Sequence, residues 1–520
     1  MPIPPNWKAA DGGNSPKGLS CHPWPGRFQA PFSLTCHAEE SLVTEAQSAP
    51  QTSWERKAKM SPNAIRKSRE PPQVTFCGAA RAVSGSMHLL EFAEYRFLLD
   101  CGLIRGRGGD LRQRNWNFGF DASKIDAVFL SHAHVDHCGN LPNLVRQGFC
   151  GPIYCTPATR DLIEVMLKDS ARINQHENSM RADVRDSRHG QFLFDYEDVD
   201  RVMELCSAVG HREPIAVNPD VQIRFIDAGH ILGSAMVEIK GHVDGQLYSI
   251  VFTGDLGRRG VPYVAEPSQV PAADLIICEG TYGGRTHDSL EAMSAKMSAV
   301  VTSTLDRGGK VFIPAFSLGR THLVVFYLRL WMAKGLLPQI PIYVDSPLAQ
   351  KIDHVFRKYK HHLVPDIAEI ECEWLESEED ARQKSMQSEQ CIIVASGGMC
   401  EGGRIIQHLK YHIDDPRSTI VLVSYQAPDS IGAQLLLPRP TVRFHGREWN
   451  KWIDVAEVKG FSGHADKNDF EWLLRGAVAG TGRVRLVHGE PGSLFALENQ
   501  LRQMGFADVR APKPMETVTV

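Results

Sequence analysis

Hydrophobic residues in this chain fall into short runs that repeatedly stop on a histidine or a carboxylate. Residues 125–130 form a mostly apolar run, and His132, His134, Asp136 and His137 follow it at once. Residues 221–226 alternate polar and apolar positions and lead into Asp227 and His230, while 247–252 lead into Asp255 and 95–99 into Asp100. Runs of this length, rich in β-branched and aromatic side chains and bounded by glycine, predict strands. In a layered α/β fold the strand ends along one edge share a site, so four strands ending on ligand-type residues predict an assembled centre.

The surrounding pattern completes the layout. Residues 74–78, 87–92 and 95–102, separated by glycine and serine turns, predict an antiparallel meander. After the histidine cluster, 139–145 predicts a helix, 152–155 a strand, 158–173 and 196–209 helices, and the polar stretch 174–190 a loop. Buried-type runs at 274–283, 310–320, 341–347 and 391–399 each open onto a helix, which predicts a parallel sheet in an inserted α/β domain over about 282–455. Runs at 457–466 and 484–490 then bring two more strand-end histidines, His464 and His488, and return the chain to its first domain.

Length and charge narrow the picture. The 520 residues call for two or three domains. A net charge of -4 offers no general attraction to nucleic acid, so any polyanion must be held in a local cleft. The twelve cysteines include no C-x-x-C pair, the usage of a reducing compartment such as the cytoplasm. No apolar run is long enough for a membrane span and no signal-peptide pattern opens the chain. Residues 1–72, rich in Pro, Ser, Gly and charge, predict a disordered extension, with Met60 as an alternative natural start. The basic stretch 57–69 within it is a solvated tail or a patch that aids RNA capture.

The cluster at 132–137 points to metal chemistry. Neutral imidazoles and a carboxylate suit zinc and its first-row neighbours. His132 and His134, two apart as they leave a strand, point the same way and can grip one ion. Asp136 and His137 lie past the turn, which makes a second ion the economical expectation. A solvated loop is the usual explanation of one histidine, but not of this spacing after a buried strand. Asp100 is either a turn cap or the group that orients metal-binding histidines.

In order and context, Asp100, His132, His134, Asp136, His137, His230 and Asp255 resemble the first four motifs of the metallo-beta-lactamase superfamily. A long insertion flanked by Glu279, His464 and His488 is similar to the beta-CASP nucleases, and the resemblance covers nearly all of the chain after residue 73. It implies an αββα sandwich with an inserted α/β beta-CASP domain, divided as 73–281, 282–455 and 456–520. It further implies two zinc ions per chain: His132, His134 and His230 on one, Asp136, His137 and His488 on the other, and Asp255 between them. Two such ions about 4 Å apart lower the pKa of water and neutralise a phosphodiester oxygen. His464, held by Glu279, is the implied general acid.

The histidine at His488 resembles the RNA-directed members, and the tracts 397–404 and 460–466 resemble bacterial relatives of the messenger-RNA 3′-end processing endonuclease. The implied activity is endonucleolytic hydrolysis of single-stranded RNA, leaving 5′-phosphate and 3′-hydroxyl ends, with a homodimer left open as the assembly. Ser317, Arg320, Ser396, Gly397, Gly398, Met399 and Arg404 are candidate RNA contacts, the glycine-rich segment being placed at a helix start. Against that, Gly397 and Gly398 can serve a tight turn, and Arg320 a salt bridge. His287 and His412 are expected to be solvated or supporting. The rival functions are a small-molecule hydrolase, a 5′-exoribonuclease, a DNA nuclease, which His488 opposes, and a noncatalytic RNA-binding scaffold.

Overall fold

A computed structural model describes residues 70–106, 110–181, 193–261, 264–363, 372–387 and 389–520. The expected disordered extension, the alternative start at Met60 and the basic stretch 57–69 lie outside the described residues, save that 70–72 lead into the first strand.

Two seven-stranded sheets form the first layer pair. One runs in the spatial order Thr517–Thr519, Gln73–Phe76, His88–Phe92, Tyr95–Leu99, Ala127–Phe129, Ile153–Cys155, Cys206–Ala208. Its first strands pair antiparallel, as the meander predicts, and the pairing turns parallel from Phe97↔Ala127 onward. The other runs Val509–Arg510, Arg483–Val487, Leu275–Glu279, Gln246–Phe252, Ala235–Val243, Val221–Asp227, Pro214–Asn218. The alternation of side chains along each strand builds two cores from one sheet. Phe97, Leu99, Phe129, Phe225, Phe252 and Ile277 meet between the sheets. Leu98 faces outward into a core that includes Leu162 of the helix Pro157–Arg181, and Ile276 and Cys278 belong to a core that includes Phe470 and Leu497 of the helices Lys467–Leu474 and Pro491–Met504. The result is helix, sheet, sheet, helix. Each large apolar side chain sealed there contributes roughly 1.5–3 kcal/mol.

A third sheet is wholly parallel: Glu373–Trp374, Ile342–Asp345, Ile392–Ser396, Val311–Ala315, Thr419–Leu422, Asp454–Glu457. Val311–Ala315 and Ile342–Asp345 are buried along their whole length, which explains their unbroken apolar character. Ala315 pairs with Ser396 and Asp345 with Ala395, so these strands end level and release their loops at one edge. Phe461 seats edge-on against Tyr327 and Trp331, and Arg258 donates to the Gly460 carbonyl at 2.6 Å, tying this layer to the first two sheets.

Three local expectations change. Residues 174–181 continue the helix Pro157–Arg181. Their polarity suggests a loop, yet Gln175, Glu177, Met180 and Arg181 are good helix formers. The helix expected over 196–209 stops at Leu205, because Cys206–Ala208 pairs with Ile153–Cys155 as an edge strand. The run expected to carry His464 at a strand end leaves its strand at Glu457. His464 is instead held in a loop by a lone bridge to Gly257.

Gly102 shows how closely the fold packs behind the cluster. A Cβ there would stand 1.7 Å from the Asp136 carbonyl oxygen. Gly102→Ala is therefore expected to cost about 1–3 kcal/mol or more by overpacking. Calorimetry should show the lowered Tm, and an unchanged Tm would contradict this packing.

Candidate metal centre and cleft

The cluster sits where five strand ends meet one helical turn. Ser131 through His134 leave the strand Ala127–Phe129, and Asp136 and His137 lie on the single turn Val135–Cys138. His230 follows Val221–Asp227, Asp255 follows Gln246–Phe252, Glu279 ends Leu275–Glu279, and His488 follows Arg483–Val487. Asp100 and His488 hold left-handed backbone angles of φ 58° and 49°, which costs a non-glycine residue about 1–3 kcal/mol unless the surroundings enforce it.

Two groups of ligand atoms emerge. His132 Nε2 lies 3.0 Å from His134 Nδ1, which lies 3.3 Å from His230 Nε2. Asp255 Oδ2 completes that group at 3.5 Å from His132 Nε2 and 3.6 Å from His230 Nε2. In the second group His137 Nε2 is 3.2 Å from His488 Nε2, itself 3.4 Å from Asp136 Oδ2. Asp255 Oδ1 stands 3.2 Å from His137 Nε2 and 3.4 Å from His488 Nδ1. One carboxylate thus turns an oxygen to each group.

Electrostatics suit cations at these points. Burial pushes His132 and His230 well below the usual imidazole range and His134 to about 4, so all three offer neutral nitrogens. Burial also opposes charge on His137, but Asp255 and Asp100 outweigh it and raise that imidazole well above its ordinary value. They draw positive charge to the atom facing the second group. Asp255 Oδ1 is buried and accepts no hydrogen bond, as expected of an oxygen shaped for an ion. The donor set and this orphaned oxygen fit divalent metal.

Supporting contacts fix the ligands. His137 Nδ1 is 2.6 Å from Asp100 Oδ2, leaving Nε2 to point inward. Asp100 also accepts from the Ser131 backbone at 2.8 Å, from Ser131 Oγ at 2.9 Å and from Ser86 Oγ at 3.1 Å. Of its two sequence-level roles, the orienting one has the contacts. His230 Nδ1 donates to the Gly463 carbonyl at 3.3 Å. Thr281 Oγ1 lies 3.1 Å from His488 Nδ1. Ser86, Ser131, Thr281 and Gly463 carry no signal of such a role in the sequence. Only the adjacency of Ser131 to His132 could have suggested one.

His464 stands beside the first group, its Nδ1 3.1 Å from Glu279 Oε1 and its ring 4.6 Å from that of His230. Glu279 is wholly buried and accepts the backbone N–H groups of Leu256 and Thr281, each at 2.9 Å. Burial opposes charge on His464, but Glu279 and then Asp255 overcome it and raise its pKa. His287 is a supporting residue, since its Nε2 donates to the His464 carbonyl at 2.9 Å. His412 is neither solvated nor near this centre. It is buried against Phe312, with ring centroids 4.8 Å apart, because its helix turns that face to the sheet.

A cleft of about 1190 Å³ joins this centre to the open edge of the third sheet. His134, Asp136, His230, Asp255, His464 and His488 line one end. Ser317, Arg320, Ser396, Gly397, Gly398, Met399 and Arg404 line the same space. One expectation changes and one alternative gains support. The glycine segment precedes the helix Ile405–His412 by a further turn, so it is not a helix start. Gly397 has φ 111°, and a Cβ there would meet the Gly402 oxygen at 2.1 Å, so a tight turn does require it. Arg320 gives a hydrogen bond to the Val423 carbonyl at 3.0 Å.

Comparison with known proteins agrees with this architecture. Residues 80–294 match the model of the Metallo-beta-lactamase superfamily, 321–435 that of the Beta-Casp domain, and 453–512 that of the Zn-dependent metallo-hydrolase RNA specificity domain. A protein of Thermus thermophilus named as a ribonuclease is 34% identical over 82% of this chain and 95% of its own length. Transcription termination factor FttA of Methanosarcina mazei is 30% identical over 86% of this chain and 71% of its own. The protein of the same name from Pyrococcus horikoshii is also 30% identical, over 86% and 70%.

The Asp100 contact gives a direct test of the centre. Asp100→Ala should weaken metal binding about 10–100-fold by freeing the His137 ring. Competition with a chromogenic chelator would measure this, and wild-type affinity in the variant would contradict the orienting role.

Proposed function

The chain belongs to the metallo-beta-lactamase superfamily, in the branch that carries a Beta-Casp domain, and on that premise we propose that it is a di-zinc ribonuclease. The reading is of endonucleolytic cleavage of single-stranded RNA that leaves 5′-phosphate and 3′-hydroxyl ends. Its domains would be 73–281 with 456–520 and, between them, 282–455, with the strand Asp454–Glu457 at the seam. The observation that carries the proposal is the single cleft linking the two ligand groups, the His464–Glu279 pair and the third-sheet loops. A small-molecule hydrolase would have no use for the last two.

His132, His134 and His230 would hold one ion, Asp136, His137 and His488 the other, and Asp255 both. Such ions supply an activated water and offset the charge of a nonbridging phosphate oxygen. The protein groups do the rest. His464 donates Nδ1–H to Glu279, which leaves the opposite ring nitrogen free to carry a proton toward the cleft. The 3′ oxygen must leave as an alcohol, and His464 is the group we assign to protonate it. Leu256 and Thr281 keep the Glu279 carboxylate from following the proton, since both its oxygens are occupied. The third-sheet loops would hold the RNA backbone away from the cleaved bond.

The pH sign follows from His464. A raised pKa keeps its acid form present above the ordinary imidazole value, and the acid is lost as pH rises through the raised value. Cleavage of internally labelled RNA should therefore fall on the alkaline side. His464→Ala should lose about 10²–10⁴-fold in kcat together with that alkaline limb. Replacing the leaving 3′ oxygen by sulfur, which departs without a proton, should restore the variant to within about tenfold of the wild type. Equal cleavage of ordinary RNA by both proteins, or no rescue by sulfur, would contradict the assignment.

A further inference from the structure

Behind the loops of the third sheet lies a buried carboxylate that the chemistry above does not use. Asp345 closes the strand Ile342–Asp345, is wholly buried, and takes a hydrogen bond from His408 Nε2 at 2.9 Å on Oδ2. Its other oxygen, Oδ1, accepts no hydrogen bond and faces Arg404 Nε at 3.8 Å. Arg404 Nη1 is also buried without a hydrogen bond, 3.7 Å from Glu378 Oε1. Both pairs attract the guanidinium, yet neither is close enough to satisfy its N–H groups. An arginine in a cleft wall with unmade donors carries a desolvation cost that a ligand would relieve.

The backbone beneath this arginine cannot swing freely. Gly397 and Gly403 have φ 111° and 75°. Cβ atoms there would stand 2.1 Å from the Gly402 oxygen and 2.5 Å from the Ser396 oxygen. The loop is thus closed on itself, and the Arg404 backbone N–H donates to Ser396 Oγ at 3.2 Å. Flanked by carboxylates on two sides, the side chain is kept from collapsing onto either. Sharing of the Asp345 charge with His408 leaves the guanidinium fork available to a third anion.

We propose that Asp345 and His408 are positioning residues that present Arg404 to one backbone phosphate of the RNA, away from the phosphate that is cleaved. The proposal rests on the ribonuclease reading and deepens it by separating grip from chemistry. Arginine rather than lysine is required, because only the planar fork meets two phosphate oxygens at once.

The test compares an RNA oligonucleotide with bis(p-nitrophenyl) phosphate, a small diester with no neighbouring phosphates. It uses the full metal-loaded chain and the variants Asp345→Asn, His408→Ala and Arg404→Lys. Each should raise KM for RNA about tenfold with little change in kcat, and lower by about tenfold the ratio of kcat/KM for RNA to that for the small diester. The salt dependence of log KM should shrink by about 0.7, the release expected for one single-strand phosphate contact. His408→Gln, which can still donate to Asp345, should recover part of the loss. Unchanged KM and salt slope in Asp345→Asn and Arg404→Lys would overturn the proposal. So would a parallel loss on both substrates, the mark of a merely structural role. Failure of the wild-type protein to cleave RNA would instead overturn the ribonuclease reading, and this proposal with it.

Discussion

The two oxygens of Asp255 set the constraint that the rest of the molecule obeys. Oδ2 faces His132 and His230, while Oδ1 faces His137 and His488. A buried carboxylate of this kind is costly unless cations or protonated groups surround it. The groups that face it must therefore be placed closely although they come from parts of the chain as distant as His132 and His488. The facing sheets achieve this because their inner positions form one continuous core, from Phe76 and Phe97 to Phe252 and Val487. Asp100 then converts fold into orientation by holding His137 through Nδ1.

The inserted parallel sheet answers a different need. It adds little to the ligand atoms and much to the surface beside them. Its level strand ends bring Ser317, Ser396 and Arg404 to the cleft that contains His464 and His488. The loop bearing His464 is pinned from three sides, by Gly257, by His287 and by Glu279. His464 and the two ligand-type groups thus share one frame. A net charge of -4 gives no long-range pull on RNA, so grip must come from that local surface and from the cations.

Much of this was legible because its signal is local. His132, His134, Asp136 and His137 lie within one strand-to-turn segment, and alternation along 221–226 reveals which face of that strand is buried. The same period separates Phe97 and Leu99 from Leu98. Other features depend on pairing across long separations and leave no local trace. Ser86 and Ser131 meet through Asp100, and Asp345 at a strand end meets His408 on the helix Ile405–His412. Residues 174–181 are polar yet helical, where propensity rather than periodicity decides. For Gly397 and Gly398 the sequence leaves a choice between turn and phosphate cradle. The backbone angles require the turn, and the turn is what sets the position of Arg404.

Stepwise loading of the metal-free protein with zinc tests the central claim most directly, with bound ions and RNA cleavage followed in the same samples. The account predicts that cleavage appears as occupancy approaches two ions per chain, and that replacing Asp255 abolishes this dependence along with activity. Full cleavage by a protein that holds a single ion, or by one stripped of metal, would contradict it.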